Sequence, residues 1–167
     1  MWSLSWSHPR FGSLLASGGF DKKVIIWREV GKSWEKLYEY THNNSVNCVT
    51  FAPQEYGLIL LCGSSDGYIS IHEYKNENWH MHKTLAHGFG VTSVSWGPHL
   101  EGGNLRFASA GMDNLILIWQ SKNNQIDSFY VATTLEGHED VVKDVSWRNM
   151  PSSNYDLIAS GGDVILK

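Results

Sequence analysis

The chain has 167 residues, 42% hydrophobic and 18% charged, a globular composition with enough apolar material for one sizeable core or one piece of a larger one. Thirteen basic residues against seventeen acidic ones give a net charge of -4, and no basic run exceeds two residues, so the footprint of a phosphate-backbone binder is missing. No apolar run approaches the roughly 18 residues of a bilayer span, and "MWSLSWSHPR" lacks the basic-then-apolar layout of a secretory signal. Cys48 and Cys62 each lie in an alternating apolar stretch, where a small buried thiol is commoner than a disulfide, which predicts a soluble protein facing a reducing compartment.

In chain order, a short alternation ends at Trp6, an apolar run enters "ASGG" at Ala16 to Gly19, Asp21 marks a turn, "VIIW" closes on Trp27, and a weaker amphipathic stretch begins at Trp34. Alternation with period two and short β-branched runs predict strands. The series then starts again. The aromatics Trp6, Phe51, Trp96 and Trp147 follow at steps of 45, 45 and 51 residues, and the aspartates Asp21, Asp66, Asp113 and Asp163 at steps of 45, 47 and 50. A histidine precedes the aligned aromatic by nine residues three times, at His42, His87 and His138. Asp66-Gly67 and Asp113-Asn114 lie between two strand runs, where a tight hairpin needs residues tolerant of positive φ.

Four short antiparallel strands per repeat, with a histidine before the first and an aspartate between the second and third, form the WD-repeat blade pattern of β-propellers. The predicted class is therefore all-β: one partial propeller over residues 1–167, with repeat units near 1–41, 42–86, 87–137 and 138–167, the last truncated. Each polar set makes sense as mutual satisfaction, since buried polar groups are expensive unless paired. Aspartate accepts from the histidine ring, and serine and the tryptophan indole extend the chain. His87, Ser109, Asp113 and Trp119 make the fullest set. Ser17, Asp21 and Trp27 belong to the first unit, and His138, Ser160 and Asp163 to the fourth. His42 and Asp66 belong to the second, where Cys62 fills the serine slot and His72 the tryptophan slot, which predicts a weaker network.

Chemistry finds little support. A Walker loop needs Lys-Ser/Thr and a following helix, whereas "ASGG" leads into a β-run. His80 and His82 share one side of a strand without a nearby cysteine or carboxylate partner, so an exposed strand face is the reading preferred over half a metal site. No nucleophile elbow, spaced carboxylate pair or Cys/His couple stands out, so no catalytic, cofactor-binding or metal residue is assigned. Phe89, Tyr56 and Tyr155 are loop aromatics that could line a peptide groove or cover a blade edge.

Phrases beyond the generic repeat narrow the family. "HPRFG" at His8 to Gly12, "KKVIIWRE" at Lys22 to Glu29 and "YGLILLCGSSDG" at Tyr56 to Gly67 resemble the six-bladed propeller subunits of the COPII outer coat, the secretory-thirteen family. A sister propeller of the nuclear pore shares the first phrase and part of the third. The resemblance implies a non-catalytic scaffold of the COPII vesicle coat in ER-to-Golgi transport and of the nuclear-pore outer ring. It implies an open propeller completed by strands from an elongated helical-solenoid coat or nuclear-pore subunit, by addition to a sheet edge. It also implies a location on the cytoplasmic side of the endoplasmic reticulum, on COPII vesicles and at the nuclear envelope, peripheral to membranes, with no cofactor, no nucleic acid and no small-molecule substrate. The alternatives are a WD-repeat peptide-binding adaptor, the sister propeller, and a propeller hydrolase, which would need carboxylates or histidines converging on the channel. By this likeness the chain matches blades two to five, about four of six, so a fragment of a longer ring is expected and no partner-contact residue is transferred. Asp163 follows its diglycine directly, whereas Phe20 separates Asp21 from Gly19, so a shortened hairpin or residues dropped before Val164 are expected at the end.

Overall fold

In a computed structural model the protein is described at residues 2–100, 102–148 and 155–163. Fourteen strands are found among these residues, in three four-stranded sheets and one two-stranded sheet, and all pairings are antiparallel. The first sheet is β1 (Ser3–Trp6), β2 (Leu14–Gly18), β3 (Lys23–Val30) and β4 (Ser33–Thr41). The second is β5 (Val46–Phe51), β6 (Ile59–Ser64), β7 (Tyr68–Lys75) and β8 (Asn78–Leu85), and the third is β9 (Val91–Trp96), β10 (Arg106–Gly111), β11 (Ile116–Ser121) and β12 (Phe129–Leu135). The fourth holds β13 (Val142–Trp147) and β14 (Ile158–Gly162); the third strand expected at Val164 to Lys167 lies outside the described residues.

Each four-stranded sheet is a meander whose strands are neighbours in sequence order. The turns between second and third strands carry positive φ, as expected at Gly67 (83°) and Asn114 (67°), and also at Lys22 (70°). In the first two sheets the left-handed residue closes the turn, Lys22 N–H donating to the Gly19 carbonyl at 3.2 Å and Gly67 N–H to the Ser64 carbonyl at 3.1 Å. A short 3-10 turn follows the first strand of the first two sheets, at Pro9–Phe11 and Gln54–Tyr56.

The sheets pack face to face, and the apolar cores lie between them. Leu14, Ala16, Val24 and Ile26 of the first sheet meet Val46, Val49 and Phe51 of the second. Ile59, Leu61, Ile69 and Ile71 of the second meet Val91, Val94, Trp96 and Phe107 of the third. Ala108, Ala110 and Ile116 of the third meet Val142, Val145 and Trp147 of the fourth. Phe107 is fully buried and stacks on Trp119 at 5.6 Å, with the edges of Trp96 and Phe129 against it. Burying one such ring contributes roughly 1.5–3 kcal/mol. The alternation read in the sequence is thus an alternation between two neighbouring sheets, because both faces of the middle sheets are covered.

Hydroxyls of one innermost strand also serve the backbone of the next. Ser3 Oγ and Ser5 Oγ accept from the Val49 and Phe51 N–H groups at 3.1 and 3.0 Å, and Ser95 Oγ accepts from Trp147 N–H at 2.9 Å. Between the second and third sheets the Trp96 indole N–H instead donates to the Thr50 carbonyl at 3.2 Å. The three serine bonds satisfy donors on a strand edge that has no ladder partner.

Candidate functional site

The third sheet holds the full polar set. The Trp119 indole N–H donates to Ser109 Oγ at 2.9 Å, Ser109 Oγ lies 2.9 Å from His87 Nε2, and His87 Nδ1 lies 2.8 Å from Asp113 Oδ1. A carboxylate only accepts, so His87 carries its proton on Nδ1 and takes the serine proton on Nε2. Asp113 is fixed in its turn by the Leu115 N–H at 3.3 Å. Gly111 makes this approach possible, since a Cβ there would collide with the His87 ring and the Asp113 carboxylate. Burial pushes the pKa of His87 below the ordinary imidazole value, against the pull of Asp113.

The first sheet brings two of its three predicted residues together. Trp27 Nε1–H donates to Ser17 Oγ at 2.9 Å, while Asp21 accepts only its own turn's Lys23 N–H, at 3.4 Å. In the fourth sheet His138 Nε2 meets Ser160 Oγ at 2.8 Å, but Asp163 pairs with Lys143 at 3.0 Å and is not brought to His138. The expected aspartate–histidine bond is absent there because Asp163 enters directly after Gly162 and its N–H is drawn to the Val141 carbonyl at 3.1 Å.

The second sheet departs from the pattern differently than its sequence suggests. His42 Nδ1 lies 3.5 Å from Asp66 Oδ2, against 2.8 Å in the third sheet, and makes no hydrogen bond. Ser64 stands in the slot of Gly111 and carries the Cβ that the third sheet excludes, which accounts for the longer distance. The network is also rebuilt: Ser70 Oγ lies 2.8 Å from both His42 Nε2 and His72 Nε2, and His72 Nδ1 lies 3.1 Å from the Tyr38 hydroxyl of the first sheet. Ser70 and Cys62 are direct cross-strand partners, as are Leu117 and Ser109. The hydroxyl has therefore crossed one rung of the ladder, from the second strand to the third. Ser70 and Tyr38 were missed in the sequence; the available signal was a lone serine inside the buried run "YISIH".

Burial lowers the pKa of both histidines, that of His72 to about 3. Burial works to raise Asp66, but the Tyr68 N–H, the Lys83 ammonium and the Ser64 hydroxyl outweigh it and hold the carboxyl below its usual value. The thiols are unpaired and kept protonated by burial, Cys48 pushed up to about 12 and Cys62 well above its ordinary value.

Among the described residues no three His, Cys, Asp or Glu side chains are placed to hold a metal ion, and no helix is long and apolar enough to cross a membrane. His80 is exposed and His82 half-buried on β8. Of the loop aromatics, Tyr56 is anchored by its hydroxyl to the Pro98 carbonyl at 3.0 Å, whereas Phe89 is 77% exposed.

The uncovered surface is a sheet face. Leu4 and Trp6 occupy the positions of Val49 and Phe51, which are buried against the preceding sheet, yet Leu4 is 49% and Trp6 61% exposed. With Leu15, Trp27 and Trp34 this face forms an apolar surface, and a hollow of about 450 Å³ lies on it beside Ser17 and Asp21. At the other end Leu157 and Ala159, which stand where Leu14 and Ala16 are buried, are also exposed.

Repeat period, meander sheets and face-to-face packing find their counterpart among known proteins. The model of the WD domain, G-beta repeat, matches residues 1–28, 34–73, 79–120 and 129–163. This chain belongs to the WD-repeat family. It is 40% identical to the protein transport protein sec13 of Aspergillus clavatus over 96% of its own length and 61% of that relative's. It is 44% identical to the protein transport protein SEC13-2 of Candida glabrata, over 88% of the chain and 54% of the relative. A SEC13 homologue of Drosophila melanogaster is 41% identical over 88% and 46% of the two lengths. These relatives bear out the likeness to the secretory-thirteen propellers. The WD-repeat chain spans about half to three-fifths of the length of the curated relatives it matches.

Proposed function

We propose that this WD-repeat chain is part of a non-catalytic scaffold subunit of the COPII vesicle coat, acting in ER-to-Golgi transport. The observation that carries the reading is the 40% identity, over 96% of the chain, to a protein named for protein transport. The architecture is in keeping with it, since the polar sets lie between strands within the sheets, where they hold blade geometry. Location on the cytoplasmic side of the endoplasmic reticulum, a second role in the nuclear-pore outer ring, and an elongated helical-solenoid partner that completes the propeller by strand addition belong to the same proposal.

Depleting the full-length protein is expected to hold secretory cargo in the endoplasmic reticulum, with restoration by the intact gene. Normal cargo export after complete depletion would refute the coat reading. A tagged copy is expected at endoplasmic reticulum exit sites and at the nuclear rim; loss of the rim signal alone would remove the pore role and leave the coat role. The adaptor reading has its own observation, the exposed loop rings Phe20 (70%) and Phe89 (77%). It predicts that Phe20→Ala with Phe89→Ala abolishes function, whereas the scaffold reading predicts normal cargo export in that variant.

A further inference from the structure

The Tyr38–His72–Ser70–His42–Asp66 sequence of contacts spans the seam between the first two sheets, and its end groups dictate how every proton in it is placed. Asp66 is an ionised acceptor, already receiving the Asn43 and Tyr68 N–H groups and the Lys83 ammonium. The His42 nitrogen facing it must carry a proton, because a lone pair 3.5 Å from a carboxylate is repelled. A neutral His42 then has its lone pair on Nε2, which accepts the Ser70 hydroxyl proton. Ser70 Oγ, having donated, accepts from His72 Nε2–H. That leaves the His72 lone pair on Nδ1, buried, facing the Tyr38 hydroxyl. Cys62 beside Ser70 is a protonated thiol and a weak acceptor, so it does not compete for the serine proton.

The third sheet explains why a fifth residue is needed. There the indole N–H of Trp119 supplies the serine with its donor, and an indole has no lone pair left to satisfy. An imidazole imitates that N–H only as the Nε2–H tautomer, and it exposes a second nitrogen that must accept. Leaving a buried acceptor unpaired is unfavourable. In this chain the acceptor is satisfied from outside its own sheet, by Tyr38 of β4, whose ring also stacks on Trp79 of β8 at 5.0 Å.

We infer that Tyr38, His72, Ser70 and His42 form a one-way hydrogen-bond chain, its direction set by the Asp66 carboxylate 3.5 Å from His42 Nδ1, which latches the first sheet to the second in place of the tryptophan-based set that each of its neighbours keeps within itself. His72 and Tyr38 are a matched pair: histidine in the tryptophan slot is tolerated because the adjoining sheet supplies a donor.

Proton-detected nitrogen spectra of the imidazoles in the ¹⁵N-labelled full-length protein near neutral pH test the direction. His72 is expected as the Nε2–H tautomer and His42 as Nδ1–H; His72 as Nδ1–H, or both rings in one tautomer, overturns the inference. Tyr38→Phe keeps the stacked ring and removes only the hydroxyl. It is expected to leave His72 as Nε2–H, held by Ser70, and to raise amide exchange roughly tenfold in both β4 and β7, the loss of one buried hydrogen bond. Unchanged exchange, or faster exchange confined to one sheet, overturns the latch. Ser70→Ala, should Tyr38→Phe fold poorly, is expected to uncouple the two rings so that His42 alone stays Nδ1–H; a His72 that remains wholly Nε2–H in Ser70→Ala would contradict the chain.

Discussion

Ser109 uses its hydroxyl in both senses, accepting from Trp119 and donating to His87, so its removal strands two buried groups at once. Ser109→Ala is predicted to destabilise the full-length protein by about 2–4 kcal/mol in urea denaturation. Ser17→Ala, where Trp27 is only half-buried and water can substitute, should cost under about 1 kcal/mol. Equal losses would show that the third set is not the stronger. The histidines also set a pH dependence. His42, His72 and His87 have folded pKa values below their ordinary one, so below about pH 6.5 the unfolded chain binds more protons than the folded chain. Stability is therefore full above that pH and falls as the pH drops toward the value of about 3 held by His72. Depressed Asp66 adds to the loss in the same direction at the acid end. A melting temperature unchanged between pH 7 and pH 4.5 would contradict this.

At the scale of elements, glycines at the ends of second strands decide how closely sheets approach. A Cβ on Gly63 would lie 2.5 Å from Val91 Cγ1 of β9 and 2.7 Å from Cys48 Sγ. Gly63→Ala is predicted to destabilise by about 1–3 kcal/mol through overpacking, and adding Val91→Ala should return part of that loss. Full additivity in denaturation experiments would place the strain elsewhere. The turn φ belongs to Lys22, Gly67 and Asn114, and Gly63 makes room for a neighbour. The strands themselves were legible because each sheet buries alternate residues against different neighbours, which leaves the period of two intact. The rebuilt second network was not legible, because shifting a hydroxyl from Cys62's position to Ser70's leaves composition and period unchanged. Tyr38 belongs to a different repeat, so no comparison within one unit could pair it with His72. The Asp163 set failed for a local reason, the missing spacer after Gly162, and the sequence had already displayed that gap.

The described sheets form a stack whose internal faces are covered, while Leu4 and Trp6 at one end and Leu157 and Ala159 at the other are exposed. Apolar surface of this kind is stabilised when covered, at roughly 25 cal/mol per Å² removed from water, and a propeller blade is covered by another blade. The faces between sheets carry the packing, and the polar sets hold each sheet in shape. The decisive measurement is native capture of the tagged full-length protein from cells, followed by sedimentation and identification of what travels with it. The account predicts near-equimolar co-sedimentation with a large helical-solenoid polypeptide. Sedimentation as a lone monomer would contradict it.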